Sequence, residues 1–218
     1  MPRRALRKLD NSLDLSRHLK KWDDLPRPWD AAALFSREAP LEVEVGSGKG
    51  MFLLAASQQR PETNFLGIEL AEKYAEFCAG RLARWNIANA CVISADAGRV
   101  FAELLPDASL AAVHVYFPDP WWKTRHKKRR VMNERFVRQI ERTLRPGGSL
   151  HFWSDVEEYF RSTLEMLRAE TKLAGPLPVP ERPAEHDLDY RTNFERRVRQ
   201  AGKPVYRADF RKAASNDL

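Results

Sequence analysis

The stretch "LEVEVGSGKGMFLLAASQQ", residues 41 to 59, sets the architecture. Its first five residues read as a strand, "GSGKG" is a glycine loop, and "MFLLAASQQ" suits a helix. A strand that passes through glycines into a helix opens a parallel α/β unit. Gly46, Gly48 and Gly50 allow a tight turn and close approach of a ligand that side chains would block. The alternation continues downstream. "NFLGIEL" (64 to 70) is a second strand, and the helix "EKYAEFCAGRLARW" (72 to 85) sets Tyr74, Phe77, Cys78, Leu82 and Trp85 on one face. "ACVIS" (90 to 94) and "LAAVHVYF" (110 to 117) are the third and fourth strands. Asn133 caps the helix "ERFVRQIERTL", whose Phe136, Val137, Ile140 and Leu144 form one stripe; "RPGG" ends it before the strand "SLHFWS". "VEEYFRSTLEMLRAE" has Val156, Tyr159, Phe160, Thr163, Leu164 and Leu167 at helical spacing. "GPLPVPERP" (175 to 183) reads as a loop and "VYRADFRK" as a last, antiparallel strand. Five alternations imply a mostly parallel sheet covered on both faces, with ligands beyond the carboxyl ends of the strands at the switch in strand order.

A chain of 218 residues fits one large domain with an arm: a basic arm over 1–37 and a globular domain over 38–218. Hydrophobic residues at 43% and aromatics at 10% are globular values, and no stretch approaches the ~20 apolar residues that cross a bilayer. Charges interrupt every apolar run of the opening "MPRRALRKLDNSLDLSRHLKKW", so no secretory signal is expected there and the protein is placed in the cytoplasm. Cys78 and Cys91 lack metal-ligand spacing and read as small buried hydrophobes. The net charge of +7 favours a polyanionic partner. It collects in three places, the arm at 1 to 21, the run 123 to 130 and the segment from Arg191 to Lys212, a distribution that suits a large folded nucleic acid.

The glycine loop is not a phosphate-gripping P-loop, because Gly50 follows Lys49 where Ser or Thr should hold magnesium. A nicotinamide fingerprint fits in part: Glu69 ends the second strand where it can take a ribose diol, but Met51 occupies the third small position. S-adenosylmethionine accounts for more residues. It has a ribose diol, no pyrophosphate, and an ammonium for which Glu44 is a partner rather than a repulsive neighbour. Asp96, just past the third strand, stands where a carboxylate accepts from the adenine amino group. The plainer alternative makes Glu44 a strand-end charge, Glu69 a helix-start charge and Asp96 an N-cap.

"FPDPWWKTRHKKRR", residues 117 to 130, asks for more than a core strand. Pro118 and Pro120 stiffen the backbone around Asp119, Trp121 and Trp122 offer faces for a base, and six Lys or Arg follow among eight residues. The alternative is a turn with a tryptophan plug and a solvated charge run.

With "EVGSGKG", "FLGIE", "DA" at 96 and 97, "SD" at 154 and 155 and "TNFE" at 192 to 195, this segment resembles the bacterial tRNA (guanine-N(7)-)-methyltransferases of the TrmB type over about residues 38 to 212. The resemblance implies a class I Rossmann-like methyltransferase fold, α/β, with a mostly parallel seven-stranded sheet and helices on both faces. It implies methyl transfer from S-adenosyl-L-methionine to N7 of a variable-loop guanosine, position 46, in tRNA. By it Glu44, Gly46, Gly48, Glu69, Asp96 and Asp119 form the cofactor site, with Asp119 also the catalytic residue. Lys123, Asp155, Thr192, Asn193, Phe194 and Glu195 contact the substrate guanosine, and Arg125, His126, Lys127, Lys128, Arg129 and Arg130 lie against RNA. Trp122 stands where relatives often carry His. tRNA is the partner, with no membrane and no obligatory protein partner. The chemistry needs no metal, and His114 and His151, within apolar strands, read as structural. A nicotinamide oxidoreductase and an RNA-binding module with a relict fold are the rival readings.

Overall fold

A computed structural model describes residues 6, 10, 12–122, 124–180 and 190–214, without the side chains of Thr124 and Lys127. All five residues of "LEVEV" are buried, Glu42 and Glu44 among them, because helices cover both faces of the sheet and leave neither face to water. Glu42 is matched inside by His114 Nε2 at 2.8 Å and by the Arg60 guanidinium. His114 Nδ1 in turn meets the Tyr116 hydroxyl at 2.9 Å, and His151 meets Asp209 at 2.8 Å, so both strand histidines are hydrogen-bonded.

Among the described residues the strands are β1 (Leu19–Lys20), β2 (Leu41–Val45), β3 (Asn64–Glu69), β4 (Ala90–Ser94), β5 (Leu110–Tyr116), β6 (Leu144–Ser154), β7 (Ala174–Leu177) and β8 (Tyr206–Arg211). They form one sheet in the order β1-β4-β3-β2-β5-β6-β8-β7. Every pairing from β1 to β6 is parallel, and β8 runs antiparallel to both β6 and β7. Eight strands replace the expected seven. The extra one comes from the basic arm, where Leu19 and Lys20 pair with Val92 and Ile93 and cover the edge of β4. "GPLPVPERP" is likewise not all loop: Gly175, Pro176 and Leu177 belong to β7, and 181–183 lie outside the described residues.

The helices are α1 (Ala31–Phe35), α2 (Met51–Gln59), α3 (Glu72–Arg84), α4 (Ala97–Glu103), α5 (Glu134–Thr143), α6 (Glu157–Glu170) and α7 (Asn193–Gln200). Strand residues alternate between two cores. Val43, Leu66, Ile93, Val113 and Phe152 pack with Val100, Phe101, Phe136, Ile140 and Tyr159 from α4, α5 and α6. Phe65, Val92, Tyr116 and Trp153 pack with Phe52, Leu53, Cys78 and Leu82 from α2 and α3. Burying each large aliphatic or aromatic side chain contributes ~1.5–3 kcal/mol, which makes the sheet a stiff floor for the loops at its edge. On α3 the buried stripe is Ala75, Cys78, Ala79 and Leu82, whose small members let the helix lie close to the sheet. Trp85, expected on that stripe, follows the last helical residue and is 58% exposed.

Candidate functional site

Parallel strands end at one edge, and here each of five adjacent strand ends carries a carboxylate. In spatial order these are Asp96 after β4, Glu69 on β3, Glu44 on β2, Asp119 after β5 and Asp155 after β6. The order of connection reverses between β2 and β5, so Glu44 and Asp119 flank the position where open α/β sheets bind ligands.

Gly46 and Gly48 adopt φ of +81° and +52°, and a Cβ added at Gly46 would meet nothing within 4 Å, so a ligand can approach the backbone there. Gly50 serves packing instead: a Cβ there would lie 2.3 Å from Cys78 Sγ on α3. Beneath this loop Glu44 is 2% exposed and its Oε2 has no hydrogen-bond partner. Burial pushes its carboxyl up to about 8, against a hydrogen bond from Ser47 and with a further push from the charge of Glu69. Glu69 reaches across from the next strand, where Oε2 accepts from Gly48 N–H at 2.8 Å and Oε1 from Ala71 N–H at 2.9 Å. A buried acceptor that lacks a donor is a place for a cation, and a carboxylate held against a glycine amide is a place for a diol. These residues therefore fit the ammonium and ribose of S-adenosylmethionine. Asp96 caps α4, its Oδ1 accepting from Arg99 N–H at 2.9 Å, and remains exposed at the same edge.

The loop after β5 is strained at both ends. Phe117 and Trp121 hold φ of +51° and +43°, a region that costs bulky residues ~1–3 kcal/mol each and persists only when the surroundings enforce it. Phe117 N–H donates to Trp153 O at 2.8 Å, anchoring one end. Arg130 anchors the other: its Nε donates to Pro120 O at 2.7 Å and its guanidinium lies 4.4 Å from the centre of the Tyr159 ring. Arg130 is 9% exposed, so its side chain points into the fold while Arg125, Lys128 and Arg129 are exposed. Asp119 is exposed between its prolines. Burial, more than the neighbouring charge of Asp119, pushes the Tyr159 hydroxyl up to about 12.

Residues Thr124–Arg129 form a 3-10 turn that folds back on Trp121. His126 stacks on that ring at 5.8 Å and Arg129 lies 5.2 Å from its centre. Trp122, by contrast, is 66% exposed. Lys123 and the side chain of Lys127 lie outside what is described. Asp155 is half-buried, and burial raises its carboxyl above the ordinary value.

Thr192 to Glu195 start α7. Thr192 Oγ1 accepts from Glu195 N–H at 2.9 Å, an N-cap, and Glu195 Oε2 accepts from the N–H of Arg191, the residue before the cap, at 2.6 Å. Glu195 is 2% exposed and also pairs with Arg199 at 3.4 Å and Arg207 at 3.5 Å. Its carboxylate faces the fold, and Phe194, whose ring centre lies 5.1 Å from that of Phe117 at a tilt of 41°, is the outward side chain of the segment. The T-x-x-E spacing carried this cap in the sequence. Nothing in the sequence separated Arg130 from the basic residues before it.

A family model described as a putative methyltransferase matches residues 38–208. A tRNA (guanine-N(7)-)-methyltransferase of Rhodopirellula baltica is 50% identical, over 97% of this chain and 80% of the relative. One from Aeromonas hydrophila is 38% identical, over 87% and 80%. Among solved structures, the 16S rRNA methyltransferase KamB superposes with a TM-score of 0.61 at 19% identity, over 83% of this chain and 91% of that one, a likeness of fold.

Proposed function

The chain belongs to the tRNA (guanine-N(7)-)-methyltransferase family, and from that premise we propose that its sheet edge holds S-adenosylmethionine over the glycine loop and methylates a variable-loop guanosine of tRNA beside Asp119. The donor supplies an electrophilic methyl group on a sulfonium. Guanine N7 carries an in-plane lone pair and no proton, so the chain needs no base, and alignment does most of the work. Glu44 takes the ammonium and Glu69 the ribose diol; Asp96 faces the adenine. Asp119, held by the prolines and by Arg130, lies where positive charge grows on the guanine ring as it leaves sulfur, and stabilises it electrostatically. Asp155 closes the far side of the guanine. Phe194 and Trp122 offer the aromatic faces. Glu195 and Thr192 act through the position of α7, and Arg125, Lys128 and Arg129, exposed side chains of the basic run, meet phosphates.

The observation that supports this reading most is the buried Glu44 carboxyl at the switch point, whose Oε2 has no hydrogen-bond partner. An ammonium beside it favours its ionised form and a pyrophosphate does not, which disfavours a nicotinamide cofactor. No helix among the described residues is long and apolar enough to cross a membrane, and the proposed place of action is the cytoplasm, where tRNA is found. The test is incubation with labelled S-adenosylmethionine and unmodified tRNA, then digestion to nucleosides. 7-Methylguanosine from the wild-type protein, lost in Asp119→Ala, is expected. An unmethylated tRNA, or a methyl group on another atom, overturns the reading.

A further inference from the structure

A second basic surface lies on the face of the sheet covered by α2 and α3. Met51 and Leu54, both buried, floor a cavity of about 330 Å³ whose rim is Arg81, Arg84 and Arg196 and whose outer wall is Trp85. Three guanidinium groups converge there although each repels the others. Burial holds the Arg81 guanidinium below its ordinary pKa, and the charges of Arg196 and Arg84 push the same way. Trp85, a large ring, is left 58% exposed beside the arginines. The basic face runs on toward the glycine loop, because Arg81 and Lys49 both lie over the Phe77 ring, at 5.8 and 5.7 Å. It also shares α7 with the catalytic loop: Asn193 lines the cavity, and Phe194 beside it touches Phe117.

An apolar floor, an open indole and a ring of guanidiniums match one chemistry, a nucleotide whose base stacks while its phosphates are gripped. We propose that this groove binds one unstacked nucleotide of the tRNA other than the target guanosine, its base against Trp85 and its flanking phosphates on Arg81, Arg84 and Arg196. The inference rests on tRNA being the substrate. It makes the groove a second point of contact, which selects tRNAs by the distance from the methylated base to an unpaired neighbour.

Arg84 and Trp85 are both exposed, so Arg84→Gln and Trp85→Ala leave the fold intact. The expected result is a KM for tRNA raised about fivefold or more in each variant, with kcat within about twofold and S-adenosylmethionine affinity unchanged by calorimetry. Trp85→Phe restores the KM in large part, since a smaller ring still stacks. Arg84→Gln lowers the slope of log Kd for tRNA against log salt by roughly 0.7–0.9. Unchanged KM and slope in both variants, with an active wild-type protein, overturn the groove and leave the methyltransferase reading standing. A wild-type protein that makes no 7-methylguanosine overturns the activity instead, and direct tRNA binding by the same variants still decides the groove.

Discussion

Replacing Glu44 by Gln is expected to stabilise the cofactor-free protein while weakening its grip on the methyl donor. The Glu44 carboxyl ordinarily titrates at 4.5 and in the fold at about 8, through burial and the nearby charge of Glu69. The folded state therefore binds the proton more tightly than the unfolded chain does, and stability falls as pH rises from 4.5 to about 8, then levels off. At pH 7 the fold stands about 2.5 pH units above the unfolded value, and at ~1.36 kcal/mol per unit the penalty is about 3 kcal/mol. Gln carries no such penalty. For a chain of this size ~1 kcal/mol moves Tm by about 2–4 °C, so the variant should melt up to roughly 6–12 °C higher at pH 7 and about level with wild type near pH 4.5. Donor binding should move the other way, losing ~1.5–3 kcal/mol with the ionic hydrogen bond. In the wild-type protein at pH 7, binding should release close to one proton, visible by calorimetry in two buffers of different ionisation enthalpy. A variant that is no more stable at pH 7, or a stability difference that ignores pH, would refute the assignment of Glu44 as a buried carboxyl that ionises to meet a cation.

Three further outcomes follow from the geometry. Glu69→Ala should cost ~1.5–3 kcal/mol of donor affinity, measured by titration, because it removes a charged acceptor beside the glycine loop; an unchanged Kd removes Glu69 from the ribose. Arg130→Ala frees Pro120 O and the strained Trp121 end of the loop, so kcat should fall tenfold or more while tRNA Kd and its salt dependence stay near wild type; a lost salt slope with unchanged kcat would make Arg130 a phosphate ligand after all. Changing Arg125, Lys128 and Arg129 to Gln should weaken binding of all tRNAs alike and reduce the log–log salt slope by about 0.9 for each duplex phosphate that is no longer neutralised; no change in slope returns the run to solvated surface.

The elements were legible in the sequence because they depend on neighbours a few residues away. The strand and helix of "LEVEVGSGKGMFLLAASQQ" lie where the pattern places them, Leu41–Val45 and Met51–Gln59, and Asn133 caps the helix it precedes. The row of carboxylates was legible too, since parallel strands joined by helices must all end at one edge. Other features were decided only when distant parts of the chain met. Leu19 and Lys20 form a strand through backbone bonds to β4 and show no pattern of their own. Arg130 turns inward because Tyr159 and Pro120 O are there to receive it, whereas Arg129 folds onto Trp121. Glu195 is buried because Arg199 and Arg207 close around it, and Trp85 is exposed because the helix whose stripe it was expected to share ends one residue before it. Which way a long side chain points depends on the space and partners beside it, and those are set by residues far away in sequence. The sequence by itself determined which groups stand at the edge of the sheet; tertiary packing decided which of them keep an oxygen without a partner, as Glu44 does, and which are spent holding the fold.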